Sequence, residues 1–98
     1  MSKNQVDENF YQRADEMINL ANKQLENIDY GRVSASMMFA CARFNAFMTA
    51  TKAEDQTHLA DSKQLILDYF VKEYEKMLKH NLEEYIDNFD QYLGRKKN

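Results

Sequence analysis

The side chains with the greatest capacity for chemistry are Arg43 and Asn45, which lie in an otherwise apolar segment. Residues 33–51 contain no other charged side chain, although 30% of the residues in the chain are charged. A guanidinium withdrawn from water requires carboxylate or carbonyl acceptors. We therefore predict that Arg43 forms a structural ion pair with an acid on a neighbouring helix, with Asp15 and Asp68 as candidates. The alternative is an arginine that binds an anion.

Asn45 lies on the same polar edge of this segment as Ser34 and Thr49. We predict that its amide bonds to another helix and fixes the register of the helices, as single buried polar groups do. An alternative function follows from the same residues. In a small-ligand-binding helical domain, Arg43 and Asn45 would line an interhelical pocket for an anionic or amide-bearing molecule.

The remaining reactive residue types form no recognisable catalytic or metal-binding pattern. His80 lacks the glutamate three residues earlier that the Glu-x-x-His element of di-iron bundles requires. Cys41 is interpreted as a small core residue. The chain has no Ser/His/Asp or Cys/His spacing for nucleophilic catalysis and no glycine-rich phosphate loop. We therefore expect a protein that is not an enzyme and that has no cofactor or metal.

Composition limits the binding partners and the cellular compartment that we expect for the protein. The chain has 98 residues, of which 44% are hydrophobic, which is enough for one small core. Its net charge of −3 and its single short basic run, Arg95-Lys96-Lys97, argue against a nucleic-acid partner. The N-terminal residues contain no apolar signal core, and the segment 33–51 is too polar to span a membrane. The single cysteine excludes an internal disulfide, so we expect a cytoplasmic protein.

Apolar periodicity predicts three helices, over about residues 7–29, 33–52 and 58–93. Asp7 is expected to cap the first helix, and Gly31 is expected to end it in the left-handed conformation. The predicted fold is all-α, an antiparallel three-helix bundle that forms a single domain over 1–98 with a flexible basic tail at 94–98.

The predicted second helix is apolar on two faces. Its large face contains Met37, Phe44 and Met48, and we expect this face to be buried in the core. The opposite face is rich in alanine, which allows another helix backbone to approach closely. Ala42 and Ala46 on that face are therefore candidate interface residues.

The predicted third helix is long for its neighbours, at roughly 50 Å against roughly 30 Å. Its apolar stripe contains Leu67, Val71, Tyr74, Leu78, Leu82, Tyr85, Phe89 and Leu93. Either the helix bends or breaks near Lys79–Asn81, or a second subunit covers its overhang. The last part of the stripe lies among acids, and Tyr85, Phe89 and Tyr92 are its candidate interface residues. The alternative is a solvated acidic face over a packed aromatic stripe.

Several strings of residues are together characteristic: Arg13-Ala14-Asp15, Ile18-Asn19-Leu20-Ala21-Asn22, Val33-Ser34-Ala35-Ser36, Ala42-Arg43-Phe44-Asn45-Ala46-Phe47, Tyr69-Phe70-Val71 and Tyr85-Ile86-Asp87-Asn88-Phe89-Asp90. Over about residues 8–93 the chain resembles a family of small, uncharacterised proteobacterial proteins that form a domain of unknown function. The resemblance implies a bacterial, cytoplasmic setting and a free-standing domain. It implies no activity and no site.

The function predicted from these features is a non-enzymatic helical interaction or oligomerisation protein. The expected partner is a second copy, in a homodimer, or another protein. The interface would use the alanine face of the second helix or the aromatic end of the third.

Overall fold

The computed structural model describes residues 6–94, and these residues form helices with short connections and no strand. Within this range there are four helices: α1 (Phe10–Gln24), α2 (Tyr30–Lys52), α3 (Gln56–Asp87) and α4 (Phe89–Leu93). The predicted all-α fold with a long third helix is therefore confirmed. The chain divides into two units, Met1–Asp55 and Gln56–Asn98, and a single domain over 1–98 stays a prediction. The predicted basic tail lies outside the described residues, except for Gly94.

α1 begins later than predicted, because Asp7 caps a turn that precedes the helix. The Asp7 carboxylate accepts a hydrogen bond from the backbone N–H of Asn9 at 2.8 Å. The Arg13 guanidinium donates to both Asp7 oxygens, at 3.3 and 3.2 Å. The bonds from Arg13 and from the Asn9 backbone hold the pKa of Asp7 below its ordinary value. The first residue of α1 is then Phe10, whose N–H bonds to the Asp7 carbonyl.

α1 also ends earlier than predicted, and Gly31 does not end it. After Gln24 the backbone tightens into turns in which the N–H groups of Glu26 and Asn27 bond to carbonyls three residues earlier. Asp29 then adopts an extended conformation, and its carboxylate accepts a hydrogen bond from the Arg32 N–H at 2.8 Å. Asp29 is thus the N-cap of α2, which begins at residue 30 instead of 33. Gly31 lies in the first turn of α2 without a positive φ.

The first unit has a very small core, which lies near the connection between its two helices. Ala21, close to the end of α1, is 9% exposed, and Val33, in the second turn of α2, is 5% exposed. No other side chain within residues 6–94 is buried to this degree. Half-buried residues also occur far from the turn, at Ala14 in α1 and at Asn45, Met48 and Thr49 in α2.

α3 runs through the position where a break was predicted. Residues 79–81 are helical, and the Asn81 side-chain amide donates to the Met77 carbonyl at 2.7 Å within the helix. The chain leaves helical geometry at Asn88, where φ is −121° and ψ is 32°. α4 follows and ends at Gly94, which has a positive φ of 66°. The predicted third helix is therefore two helices, with the interruption seven residues later than expected.

The apolar stripe predicted for α3 is not buried in the second unit. Every member of that stripe, from Leu67 to Leu93, is exposed. The half-buried residues of α3 recur at helical spacing on a different face: Leu59, Ser62, Ile66, Phe70 and Glu73. Periodicity located an apolar face correctly, but the structure leaves that face in contact with solvent.

Candidate interaction surfaces

Three phenylalanine side chains follow one side of α2 and are open to solvent. Phe39, Phe44 and Phe47 are 70%, 67% and 67% exposed. With Ala40 and Arg43 they line an open depression. The spacing places these residues on one helix face, because residues three or four apart are neighbours on a helix surface. We refer to the five residues as the α2 stripe.

Within the first unit, the large face of α2 does not form the core that was predicted. Met37 and Phe44 are exposed, and Met48 is half-buried. α1 has 15 residues and α2 has 23, so α1 is too short to cover the whole of α2. Within the first unit, α1 leaves Met37 and Phe44 exposed.

Arg43 is also placed differently from the prediction. Its side chain is exposed, and it forms no ion pair or hydrogen bond with any described residue of the first unit. The expected ion pair with Asp15 is therefore not formed within the first unit, because an exposed guanidinium is hydrated and needs no carboxylate. Asp68 belongs to the second unit, and an ion pair with it stays a prediction. α2 contains two further basic residues, Arg32 and Lys52, and no acid.

Asn45 and Arg43 do not share a site. They are two residues apart on α2, which separates them by about 200° around the helix. The Asn45 side-chain amide donates to the Cys41 sulfur at 3.4 Å, and the Asn45 backbone carbonyl accepts from the Thr49 hydroxyl at 2.7 Å. Both bonds stay within α2, so this side chain does not link helices as predicted. Cys41, predicted to be a core residue, is exposed.

The two alanines predicted as an interface lie on the neighbouring side of α2. Ala42 and Ala46 are exposed, and helical geometry places them next to Phe39, at the edge of the α2 stripe. This position leaves both methyl groups accessible to a partner. Their role in an interface stays a prediction.

The three aromatic residues predicted at the C-terminal end lie around the interruption between α3 and α4. The rings of Tyr85 and Tyr92 are 5.1 Å apart at an interplanar angle of 55°, and Phe89 is exposed. The Tyr92 hydroxyl donates to the Glu84 carboxylate at 2.7 Å and so bridges the interruption. We refer to five exposed residues as the C-terminal surface: Leu82, Glu84, Tyr85, Phe89 and Tyr92.

Asn88 allows this surface to form without separating α4 from α3. Its backbone N–H and its side-chain amide both bond to the Glu84 carbonyl, at 3.1 and 3.0 Å. The Asn88 carbonyl then accepts the Tyr92 N–H at 3.0 Å. The backbone therefore remains hydrogen-bonded through the interruption, which holds Tyr92 within reach of Glu84.

The bond to Glu84 has a measurable consequence for titration. The bond and the negative charge of Glu84 raise the pKa of Tyr92 above its ordinary value of 10.0. Because the pKa of Tyr92 is higher in the folded chain than in the unfolded chain, the protonated phenol stabilises the folded state. That contribution is complete below the pKa of an unfolded tyrosine and is lost as the pH rises through the folded pKa.

We expect the Tyr92 pKa to fall towards its ordinary value in a Glu84→Gln variant. The measurement is tyrosinate absorbance during alkaline titration. In the unchanged chain, the titration of Tyr92 is the difference between its absorbance curve and that of a Tyr92→Phe variant. In Glu84→Gln, it is the difference from the curve of the variant that carries both Glu84→Gln and Tyr92→Phe. A midpoint at the ordinary value in the unchanged chain would contradict the structure.

The described residues do not gather the side chains of a metal site. Within residues 6–94, no group of three or more His, Cys, Asp or Glu side chains is placed to hold a metal ion. No helix in this range combines the length and apolar character that a membrane crossing requires.

Comparison with known protein families assigns the chain to one of them. The family described as "Protein of unknown function (DUF3144)" matches residues 10–86, which is most of the chain. The chain belongs to the DUF3144 family. The match confirms the resemblance to an uncharacterised family, and it includes the whole α2 stripe. Phe89 and Tyr92 lie beyond the residues that match DUF3144. No curated protein and no solved structure matches the chain.

Proposed function

We propose that this protein is a non-enzymatic helical interaction protein that acts as a homo-oligomer, formed through the α2 stripe. The observation that carries the proposal is the exposure of Phe39, Phe44 and Phe47 on one helix face. Single exposed apolar residues are ordinary, but a contiguous apolar patch marks an interaction surface. Phenylalanine is also enriched in the buried centre of protein interfaces.

The small core supports self-association as the form of that interaction. Only Ala21 and Val33 are buried among the described residues, and both side chains are small. Ordering the backbone costs about 1–2 kcal/mol per residue, which apolar burial must offset. A second copy that covers the exposed phenylalanines supplies such burial, so association and folding stabilise each other.

The alternative function, ligand binding by Arg43 and Asn45, lacks comparable support. It requires both side chains to line one pocket, whereas they lie on nearly opposite sides of α2. The depression beside Arg43 is open and does not include Asn45. We therefore propose the interaction function alone.

The oligomeric state of the full chain tests the proposal directly. We expect sedimentation velocity at micromolar concentrations to show a species of twice the monomer mass, which dissociates on dilution. Far-ultraviolet circular dichroism recorded on the same samples reports whether the chain is helical. A helical protein that remains monomeric over this range would overturn the proposal.

A further inference from the structure

We propose that the C-terminal surface of a second copy covers the α2 stripe. This inference rests on the proposed self-association and names the two surfaces that meet. The occupant is residues 82–93 of another molecule of the same chain.

The charge of α2 determines what kind of surface can cover the stripe. Arg43 lies among the phenylalanines of the stripe, so covering them withdraws its guanidinium from water. A guanidinium withdrawn from water is costly unless a carboxylate pairs with it. α2 carries no acid, so two α2 stripes packed on each other would bring two arginines together without a carboxylate. The occupant must therefore combine apolar side chains with an acid.

The C-terminal surface has both properties. Tyr85, Phe89 and Tyr92 supply aromatic rings, on which a guanidinium also stacks favourably. The hydroxyl of Tyr92 holds the carboxylate of Glu84 at the edge of these rings. Within residues 6–94, Glu84 has no cationic partner. The segment 81–93 contains no base and four acids: Glu83, Glu84, Asp87 and Asp90.

Each copy carries one α2 stripe and one C-terminal surface, so a pair related by a twofold axis would make the same contact twice. The dimer that we propose is such a pair.

Disulfide trapping between two distinguishable copies tests which surfaces meet. Both copies carry Cys41→Ser, which leaves an oxygen acceptor for the Asn45 amide. One copy carries Ala40→Cys on α2 together with a size tag, and the other carries Leu82→Cys. After the copies are mixed and oxidised, we expect the mixed disulfide between them to dominate over both symmetric disulfides.

Each other outcome overturns the inference in a recognisable way. A symmetric disulfide through residue 40 as the main product would mean that α2 packs on α2, which preserves the proposed function and removes this contact. A dimeric mass without the mixed disulfide would lead to the same conclusion. A monomeric mass without any disulfide would remove both proposals. In one chain that carries both cysteines, a disulfide formed only within the chain would also overturn the inference.

A charge-neutralising variant provides a second measurement that leaves the phenylalanines in place. We expect Arg43→Gln to weaken dimerisation by about tenfold or more, because Glu84 of the other copy is then buried without a cation. Lys52→Gln is the matched control, since it removes a charge from the same helix outside the α2 stripe. Equal effects of the two variants would show that only the net charge of α2 matters and would overturn the contact with Arg43.

Discussion

Phe44→Glu is expected to weaken the proposed dimer strongly. Phe44 lies within the α2 stripe and is 67% exposed, so its ring contributes little to packing within the chain. Covering a glutamate in an interface places an additional charge where an apolar ring was buried. Aromatic residues at the centre of an interface contribute about 2 kcal/mol or more to binding. That corresponds to roughly a 30-fold increase in Kd.

The measurement compares sedimentation and circular dichroism over a range of concentrations. Glutamate is a good helix former, so α2 keeps its helical propensity in this variant. Tyr11→Glu is the matched control, because Tyr11 is an aromatic residue of similar exposure, 70%, on α1. We expect the control to dimerise like the unchanged chain. If Phe44→Glu had the same Kd as the control, the α2 stripe would not be the interface.

Val33→Asp is expected to destabilise the fold more than any other single change in the first unit. Val33 is 5% exposed, and it is one of the two side chains that are buried among the described residues. A carboxylate placed there loses its hydration without gaining a partner, which costs several kcal/mol. Because the carboxylate would lie near the N-terminus of α2, its interaction with the helix dipole offsets only about 0.3–1 kcal/mol of this cost. The cost of burial is therefore the larger effect, and we expect the free energy of unfolding to fall by at least about 2 kcal/mol.

Thermal unfolding at a fixed protein concentration measures this loss. A change of that size lowers the Tm of a small domain by roughly 10 °C or more. Ser34→Asp is the control, because residue 34 is exposed and lies in the same helical turn. It receives the same favourable dipole interaction without the cost of burial. Equal melting temperatures for the two variants would mean that Val33 is not buried in solution.

The helices could be predicted from the sequence, but several of their ends could not. The error at Asp29 arose because aspartate suits both the end of one helix and the cap of the next. In the structure, its extended backbone and its bond to the Arg32 N–H show that Asp29 is the N-cap of α2. Asn81 and Asn88 make the same side-chain bond to a carbonyl four residues earlier. Only the second interrupts the helix, and nothing in the local sequence distinguishes the two asparagines.

The candidate site was predictable as a set of residues that share a face. The spacing of Tyr85, Phe89 and Tyr92 predicted an aromatic surface, and the structure places these side chains at the α3–α4 interruption. The bond from Tyr92 to Glu84 was not predictable. It joins residues eight apart in sequence, and it depends on the interruption at Asn88.

The sequence by itself determined the helical character, the grouping of apolar side chains on helix faces and the absence of acids from α2. These properties are local, because they depend on residue type and on 3.6 residues per turn. The tertiary structure decided which of those faces are buried. Burial depends on which elements lie against a face, and that is not a local property of the chain. Phe44 and Arg43, predicted to belong to the core and its edge, are exposed on the α2 stripe.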